Sequence, residues 1–262
     1  MEIKENLRIT LAQVDLVWEN PVQNRFNLEE QIGQLVGKSD IVILPETFTT
    51  GFSMRVGDLA EPMDGPTVEW LINLSHTTGM AIGGSLIIED SGLYLNRFVF
   101  VTPTGEISCY NKRHLFSIGG ESISFTSGGQ RMIIHYLGWR IALYVCYDLR
   151  FPVWCRNLND TDLMIFTANW PASRKDVWNI LLKARAIENQ VYVAGVNRVG
   201  TDGNGILYLG ESQMVNSRGE VLTGNTLTTH GLFSYEISKS ALNDFREKFP
   251  VSNDADHFVM SR

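Results

Sequence analysis

Apolar residues return along this chain in two patterns: short unbroken runs, and longer stretches where they recur every three or four positions. Leu7 to Val14 reads as a first strand. Asn20 and Pro21 read as an N-cap followed by proline at the first helical position. Leu28, Ile32, Leu35 and Val36 then share one helix face, and Gly37 ends that helix. The unbroken run Ile41-Val42-Ile43-Leu44 predicts a strand covered on both sides. A second helix is predicted from about Thr67 to His76, striped by Val68, Leu71 and Ile72. Strands are predicted from Ala81 to Ile88 and from Tyr94 to Val101. After a turn at Pro103-Thr104-Gly105 comes another, from Ile107 to Asn111.

The stretch from Lys112 to Gln130 is polar and glycine-rich, as a long loop is, and the pattern then restarts. Arg131 to Tyr136 and Arg140 to Val145 read as strands, Pro152 to Leu158 as a short helix, and Leu163 to Thr167 as a strand. Val177, Leu181, Ala184 and Ile187 stripe a helix ending near Asn189, and Val191 to Val196 is a strand. Gln213 to Val215 and Glu220 to Leu222 flank a hairpin at Ser217-Arg218-Gly219, and Leu232 to Ile237 follows. The tail from Ser238 is polar, with Phe245 and Phe249. Two strand-rich halves, each with two helices, predict an α/β fold of two sheets packed face to face with helices outside, a four-layer sandwich. A Rossmann sheet is the competing architecture, and no G-x-G-x-x-G follows a strand. No linker or low-complexity segment divides the chain, so residues 1–262 read as one domain, with a core of about 7–237 and a C-terminal extension of 238–262.

Composition narrows the function. With 44% hydrophobic and 19% charged residues the chain is an ordinary globular one. A net charge of −7 repels phosphate, which argues against nucleic acid and anionic membranes as partners. The three cysteines, Cys109, Cys146 and Cys155, form no C-x-x-C, and the five histidines form neither H-x-H nor H-E-x-x-H, so no metal site is expected. The opening MEIKENLRIT lacks the apolar core of a signal peptide, and no apolar run is long enough to span a bilayer. The expected setting is soluble and reducing, that is, cytoplasmic.

Three residues stand where a predicted strand stops. Glu46 directly follows the buried run ending at Leu44, at the carboxyl end where α/β sheets hold ligands; its alternative is a turn residue capping a loop. Lys112 ends the strand after the Pro103 turn, and taken alone is a solvated lysine beside Arg113. Cys146 ends the apolar strand Arg140 to Val145 where a polar turn begins, a placement that exposes sulfur as a strand-to-helix elbow exposes a serine nucleophile. Cys109 and Cys155 read as core. A thiol attacks an amide as the thiolate, with a free pKa of ~8.5. A nearby ammonium favours the thiolate, and a carboxylate can take the proton during attack.

The segments Leu44-Pro45-Glu46, Asn111-Lys112-Arg113-His114-Leu115-Phe116 and Cys146-Tyr147-Asp148-Leu149-Arg150-Phe151-Pro152 resemble, in order, the three signature blocks of the nitrilase, or carbon-nitrogen hydrolase, superfamily. The likeness runs from about Leu7 to Glu236. It is closest to the omega-amidases through Thr167-Ala168-Asn169-Trp170-Pro171 and Ala184-Arg185-Ala186-Ile187-Glu188-Asn189-Gln190. The resemblance implies an αββα sandwich and a triad of Glu46, Lys112 and Cys146, with Glu121 in Gly119-Gly120-Glu121-Ser122 as a supporting second glutamate. It implies no metal or organic cofactor, and a homodimer joined across the helices beside the cysteine block and the Arg185 region.

On that resemblance the substrate is a small amide, the terminal amide of 2-oxoglutaramate or 2-oxosuccinamate, cleaved to the dicarboxylate and ammonia. Cys146 attacks the carbonyl, Glu46 moves the proton to the leaving nitrogen, Lys112 and the Tyr147 backbone N–H hold the oxyanion, and water releases a thioester. Such a substrate carries a carboxylate away from its amide. Arg150 or Arg174 is expected to clamp it, although Arg150 equally suits an ion pair with Asp148 or Asp162. Trp170 and Phe116 are expected to wall the pocket or to be core. Arg185 with Glu188 reads as a structural or interface pair. The rivals are an N-carbamoyl-amino-acid or aliphatic amidase on the same triad, and a non-catalytic scaffold of the same fold. A nitrile-cleaving enzyme has a different cysteine block. A glutamine amidotransferase wants G-x-C-x-G, where this chain has Val145-Cys146-Tyr147.

Overall fold

A computed structural model describes residues 3–222, 227–256 and 259. In chain order the strands are β1 (Asn6–Gln13), β2 (Ile41–Ile43), β3 (Ala81–Asp90), β4 (Leu93–Val101), β5 (Ile107–Asn111), β6 (Ile133–Tyr136), β7 (Trp139–Val145), β8 (Leu163–Ala168), β9 (Tyr192–Asn197), β10 (Val199–Thr201), β11 (Leu207–Leu209), β12 (Gln213–Val215) and β13 (Gly231–Ser238). The α-helices are α1 (Pro21–Gly33), α2 (Val56–Leu59), α3 (Pro66–Thr78), α4 (Glu121–Ser124), α5 (Lys175–Asn189) and α6 (Lys239–Lys248).

One sheet has the order β13-β1-β2-β3-β4-β5, the other β12-β9-β8-β7-β6, and β10 and β11 form a separate hairpin. Each large sheet has a parallel centre, β1-β2-β3 in one and β7-β8-β9 in the other, with antiparallel strands outside it. Alternation divides the apolar side chains between layers. Leu7, Ile9, Leu11, Ile41 and Ile43 meet Ile141, Leu143, Ile165 and Val193 of the other sheet in one core. Ala12, Val42, Leu44 and Ile82 face the opposite way, against Leu28 and Ile32 of α1 and Val68 and Leu71 of α3. Sheets inside and helices outside are the four-layer arrangement expected from the sequence. No helix among the described residues is long and apolar enough to cross a membrane.

Several local expectations change. Asn20 caps α1, its Oδ1 accepting the N–H of Gln23 at 3.1 Å, but Val36 lies beyond the helix end and is exposed. On α5 the inward face is Trp178, Leu182, Ala186 and Asn189, one residue (~100°) round from the stripe read in the sequence. Gly195 on β9 makes room for the rotation: a Cβ there would lie 2.5 Å from Leu182 and 2.9 Å from Trp178, so these two side chains fill that space. Ile187, counted with the stripe, is exposed.

Pro152 to Leu158 does not form a helix. Asn157 Oδ1 accepts the N–H groups of Asp160 and Thr161, a side-chain substitute that competes with helical bonding. The helical turn falls earlier, as a 3-10 helix at Cys146–Arg150. The polar tail forms α6, capped by Ser238 at the N–H of Ala241 and anchored by the buried Leu242. Asp162, at the entry to β8, is fully buried and receives Arg140, Lys239 and Arg246, the last two from α6. Cys155 is core, whereas Cys109 is only partly buried.

Candidate active site

The carboxyl ends of β2, β5, β7 and β8 meet at one end of the sandwich, and each delivers a polar residue to the same place. Glu46 follows β2, Lys112 follows β5, Cys146 follows β7 and Asn169 follows β8. All four line one cavity of about 150 Å³.

Lys112 is the hub. Its Nζ donates to Glu46 Oε1 at 2.8 Å and to both oxygens of Glu121 at 2.9 Å, and all three side chains are almost completely buried. Glu121 opens α4 inside the segment expected to be a plain loop, and its Oε2 also accepts the N–H of Phe116 at 2.5 Å. Burial alone would lower the Lys112 ammonium; Glu121 and Glu46 outweigh it and hold the group above its ordinary value. Burial raises Glu121, with Lys112 pulling it down and Glu46 pushing it up.

Two asparagines complete the frame, and neither was assigned from sequence. Asn96, in the middle of apolar β4, donates from Nδ2 to Glu46 Oε1 at 2.9 Å and to Glu121 Oε1 at 3.1 Å. The Asn169 N–H donates to Glu46 Oε2 at 2.8 Å, and its Nδ2 binds the Glu46 carbonyl and Thr47. Glu46 therefore has fixed donors on both oxygens. The one cue for Asn96 is the polar pair Asn96-Arg97 interrupting an otherwise apolar strand.

Cys146 has φ +44°, a left-handed conformation disfavoured for a residue with a Cβ. Asp148, fully buried, holds that strained elbow. Its Oδ2 accepts the Val145 N–H at 3.0 Å and the Tyr110 hydroxyl at 2.8 Å; its Oδ1 accepts the His114 N–H and ring nitrogen. Arg185 donates to the Leu149 carbonyl at 2.7 Å from behind and pairs with Glu188, a structural role. Tyr147 lines the cavity, and its N–H lies in the first turn of the 3-10 helix, where no intrahelical acceptor exists. Burial, then the Glu46 charge, push the Cys146 thiol well above its ordinary value despite Lys112.

Arg150, Arg174, Phe116 and Trp170 also line the cavity. Arg150 makes neither expected ion pair, because Asp148 and Asp162 are taken by other groups. Its guanidinium instead lies over Trp170 at 5.3 Å, and that of Arg174 over Phe116 at 5.0 Å. Neither arginine forms an ion pair with a carboxylate among the described residues. The β10–β11 hairpin, unassigned in the sequence, adds Asp202 and Tyr208 to the cavity lining. Asp202 is occupied by the Tyr208 hydroxyl and two backbone N–H groups. Among the described residues no cluster of His, Cys, Asp or Glu is arranged to hold a metal.

The chain belongs to the carbon-nitrogen hydrolase family, which it matches over residues 8–247. It is accordingly a hydrolase of carbon–nitrogen bonds. Omega-amidase YafV of Escherichia coli K12 is 44% identical over 252 residues, covering 96% of this chain and 98% of that protein. The 2-oxoglutaramate amidase of Bacillus subtilis is 30% identical over 251 residues, with 94% and 96% covered. Among solved structures, XC1258 of Xanthomonas campestris, a CN-hydrolase superfamily protein with an arsenic adduct in its active site, superimposes with a TM-score of 0.96 at 42% identity, covering 98% of this chain and 100% of that one.

Proposed function

We propose that this protein is an omega-amidase, hydrolysing the terminal amide of a 2-oxo dicarboxylic acid monoamide such as 2-oxoglutaramate or 2-oxosuccinamate. The observation that carries this reading is the pair of guanidiniums, Arg150 and Arg174, without carboxylate partners on the wall of the cavity that holds Cys146. A free carboxylate at the far end of the substrate satisfies them through charge-assisted bonds, while the amide end meets the sulfur. The names of the E. coli and B. subtilis relatives agree with that substrate class.

Glu46 takes the thiol proton as Cys146 Sγ bonds to the amide carbon. The oxyanion is held by Lys112 Nζ and the Tyr147 N–H. As the tetrahedral intermediate collapses, Glu46 gives its proton to the leaving nitrogen, the C–N bond breaks and ammonia departs, leaving a thioester on Cys146. Glu46 then deprotonates water, whose oxygen attacks the thioester; the acid is released and the proton returns to sulfur. Glu121 fixes the position of Lys112, and Trp170 and Phe116 support the two arginines.

The chain acts as a single domain over 1–262. It pairs as a homodimer through the helices beside the cysteine block and the Arg185 region, where Ile180 and Ile187 of α5 and Val153 of the cysteine segment are each exposed. It works in the cytoplasm, where its free thiols stay reduced. The test is ammonia release from 2-oxo acid monoamides, compared with aliphatic amides, carbamoyl amino acids and nitriles, with Cys146→Ala as control. Release from the 2-oxo acid amides that vanishes in the control supports the reading. Preference for a neutral amide or a carbamoyl amino acid replaces it with the rival amidase, and no cysteine-dependent turnover at all leaves the scaffold.

A further inference from the structure

Glu46 and Glu121 are two buried carboxylates that share one ammonium, so their charges do not cancel. Two like charges at this depth favour uptake of a proton by one of them, which would remove the base. Lys112 bridges the two from one side. From the other, Asn96 Nδ2 spends one N–H on each carboxylate, closing a ring of Glu46, Lys112, Glu121 and Asn96.

Asn96 is built in for this contact at the expense of its own satisfaction. Its Oδ1 is buried without a hydrogen-bond partner. A flipped amide would turn that oxygen onto two carboxylates, so the orientation is fixed by charge. The Asn96 backbone carbonyl also accepts the Lys112 N–H at 2.9 Å, so this residue registers the lysine backbone as well as the carboxylates. Its chain neighbour Arg97 points to the other face of β4, to Asp90 and Asn111. The remaining titratable groups near the ring are Cys146 at the elbow and, in the same cavity lining, Tyr208, whose hydroxyl donates a hydrogen bond to Asp202.

We propose that Asn96 is a positioning residue of this site, a neutral double donor that holds Glu46 and Glu121 together on Lys112 with both carboxylates ionised. It touches no substrate and acts only through Glu46 and Glu121. The inference rests on Glu46 serving as the base in the amidase reading.

The test compares wild type with Asn96→Leu, which keeps the volume but not the donors, and Asn96→Ser, which keeps one short donor and creates no overpacking. Two readouts are taken from folded protein: the pH profiles of kcat and kcat/KM for ammonia release, and ¹³C NMR titration of labelled glutamate carboxyls. The Glu46 and Glu121 signals are assigned by Glu46→Gln and Glu121→Gln. In Asn96→Leu, kcat should fall about 10- to 100-fold with KM little changed. The acid limb and the two carboxyl titrations should move up by about one pH unit, with Asn96→Ser in between. Unmoved carboxyl titrations and an unmoved acid limb in both folded variants overturn the proposal, whatever happens to kcat. The NMR arm needs no turnover, so a wild type that releases no ammonia sinks the amidase reading while the Asn96 contact is still judged on its own.

Discussion

The Tyr110 hydroxyl donates to Asp148 Oδ2 at 2.8 Å. Tyr110 stands two residues before Lys112, and Asp148 two residues after Cys146, so one buried hydrogen bond ties the strand delivering the ammonium to the elbow delivering the sulfur. Trp154 Nε1 reinforces it by donating to the same hydroxyl at 2.9 Å. Tyr110→Phe should cost about 1–2 kcal/mol of stability and lower kcat more than it raises KM. Asp148→Asn should cost more, because the oxygen replaced by NH₂ faces donors; about 2–4 kcal/mol is expected, read from urea unfolding midpoints.

The two cavity arginines predict a charge-selective defect. Arg150→Gln and Arg174→Gln should each raise KM about 10- to 100-fold for a monoamide carrying a distal carboxylate, as expected for loss of a charge-assisted bond. Turnover of a neutral aliphatic amide should hardly change in either variant. Parallel Michaelis curves on a charged and an uncharged substrate check this, and equal losses on both would assign the arginines to packing over Trp170 and Phe116.

Cys146 and Glu46 can be separated by pH. The Glu46 charge is one cause of the raised thiol, so Glu46→Gln should lower the Cys146 pKa while removing the proton carrier. Amide hydrolysis should fall about 10²- to 10⁴-fold, yet iodoacetamide should still alkylate Cys146, with its onset at lower pH than in wild type. Mass spectrometry of the modified peptide against pH measures both effects.

Asp162 makes a stability prediction of definite sign. Burial would raise its carboxyl, but the bonds from Arg140, Lys239 and Arg246 outweigh burial and hold it well below its usual value. A depressed folded-state pKa means that the contribution is present above the unfolded value of about 4 and is lost as pH falls below it. Asp162→Asn should therefore destabilise by about 3–5 kcal/mol at pH 7, with the gap from wild type narrowing as pH drops below about 4. Thermal melts across pH measure it, and α6 should become the first segment to exchange its amides.

Much of this was readable in advance, for reasons that differ by residue. Glu46 and Cys146 each come just after a buried apolar strand, a chain-local signal, whereas Lys112 follows the half-polar β5 and was marked only by the resemblance of its Asn111–Phe116 block. Asn96 sits inside a strand, and its partners Glu46 and Glu121 are 50 and 25 residues away, a relationship only strand order creates. Arg150 could not be told from an ion-paired arginine until Asp148 and Asp162 were seen to be occupied. The rotation of α5 depended on Gly195, six residues past its end, leaving room for Trp178 and Leu182. The β10–β11 hairpin spans a polar, glycine-bearing stretch without apolar alternation, so periodicity gave no sign of it.

The pairing of β1 with β13, from Asn6↔Ser238 to Gln13↔Gly231, joins two strands that lie far apart along the chain. During synthesis the first strand emerges long before its antiparallel neighbour, and one hydrogen-bonding edge stays open until residue 238 has left the ribosome. A nascent chain stalled before that point presents a ready template for another strand, so truncation just upstream of β13 should yield aggregates rather than a smaller soluble enzyme.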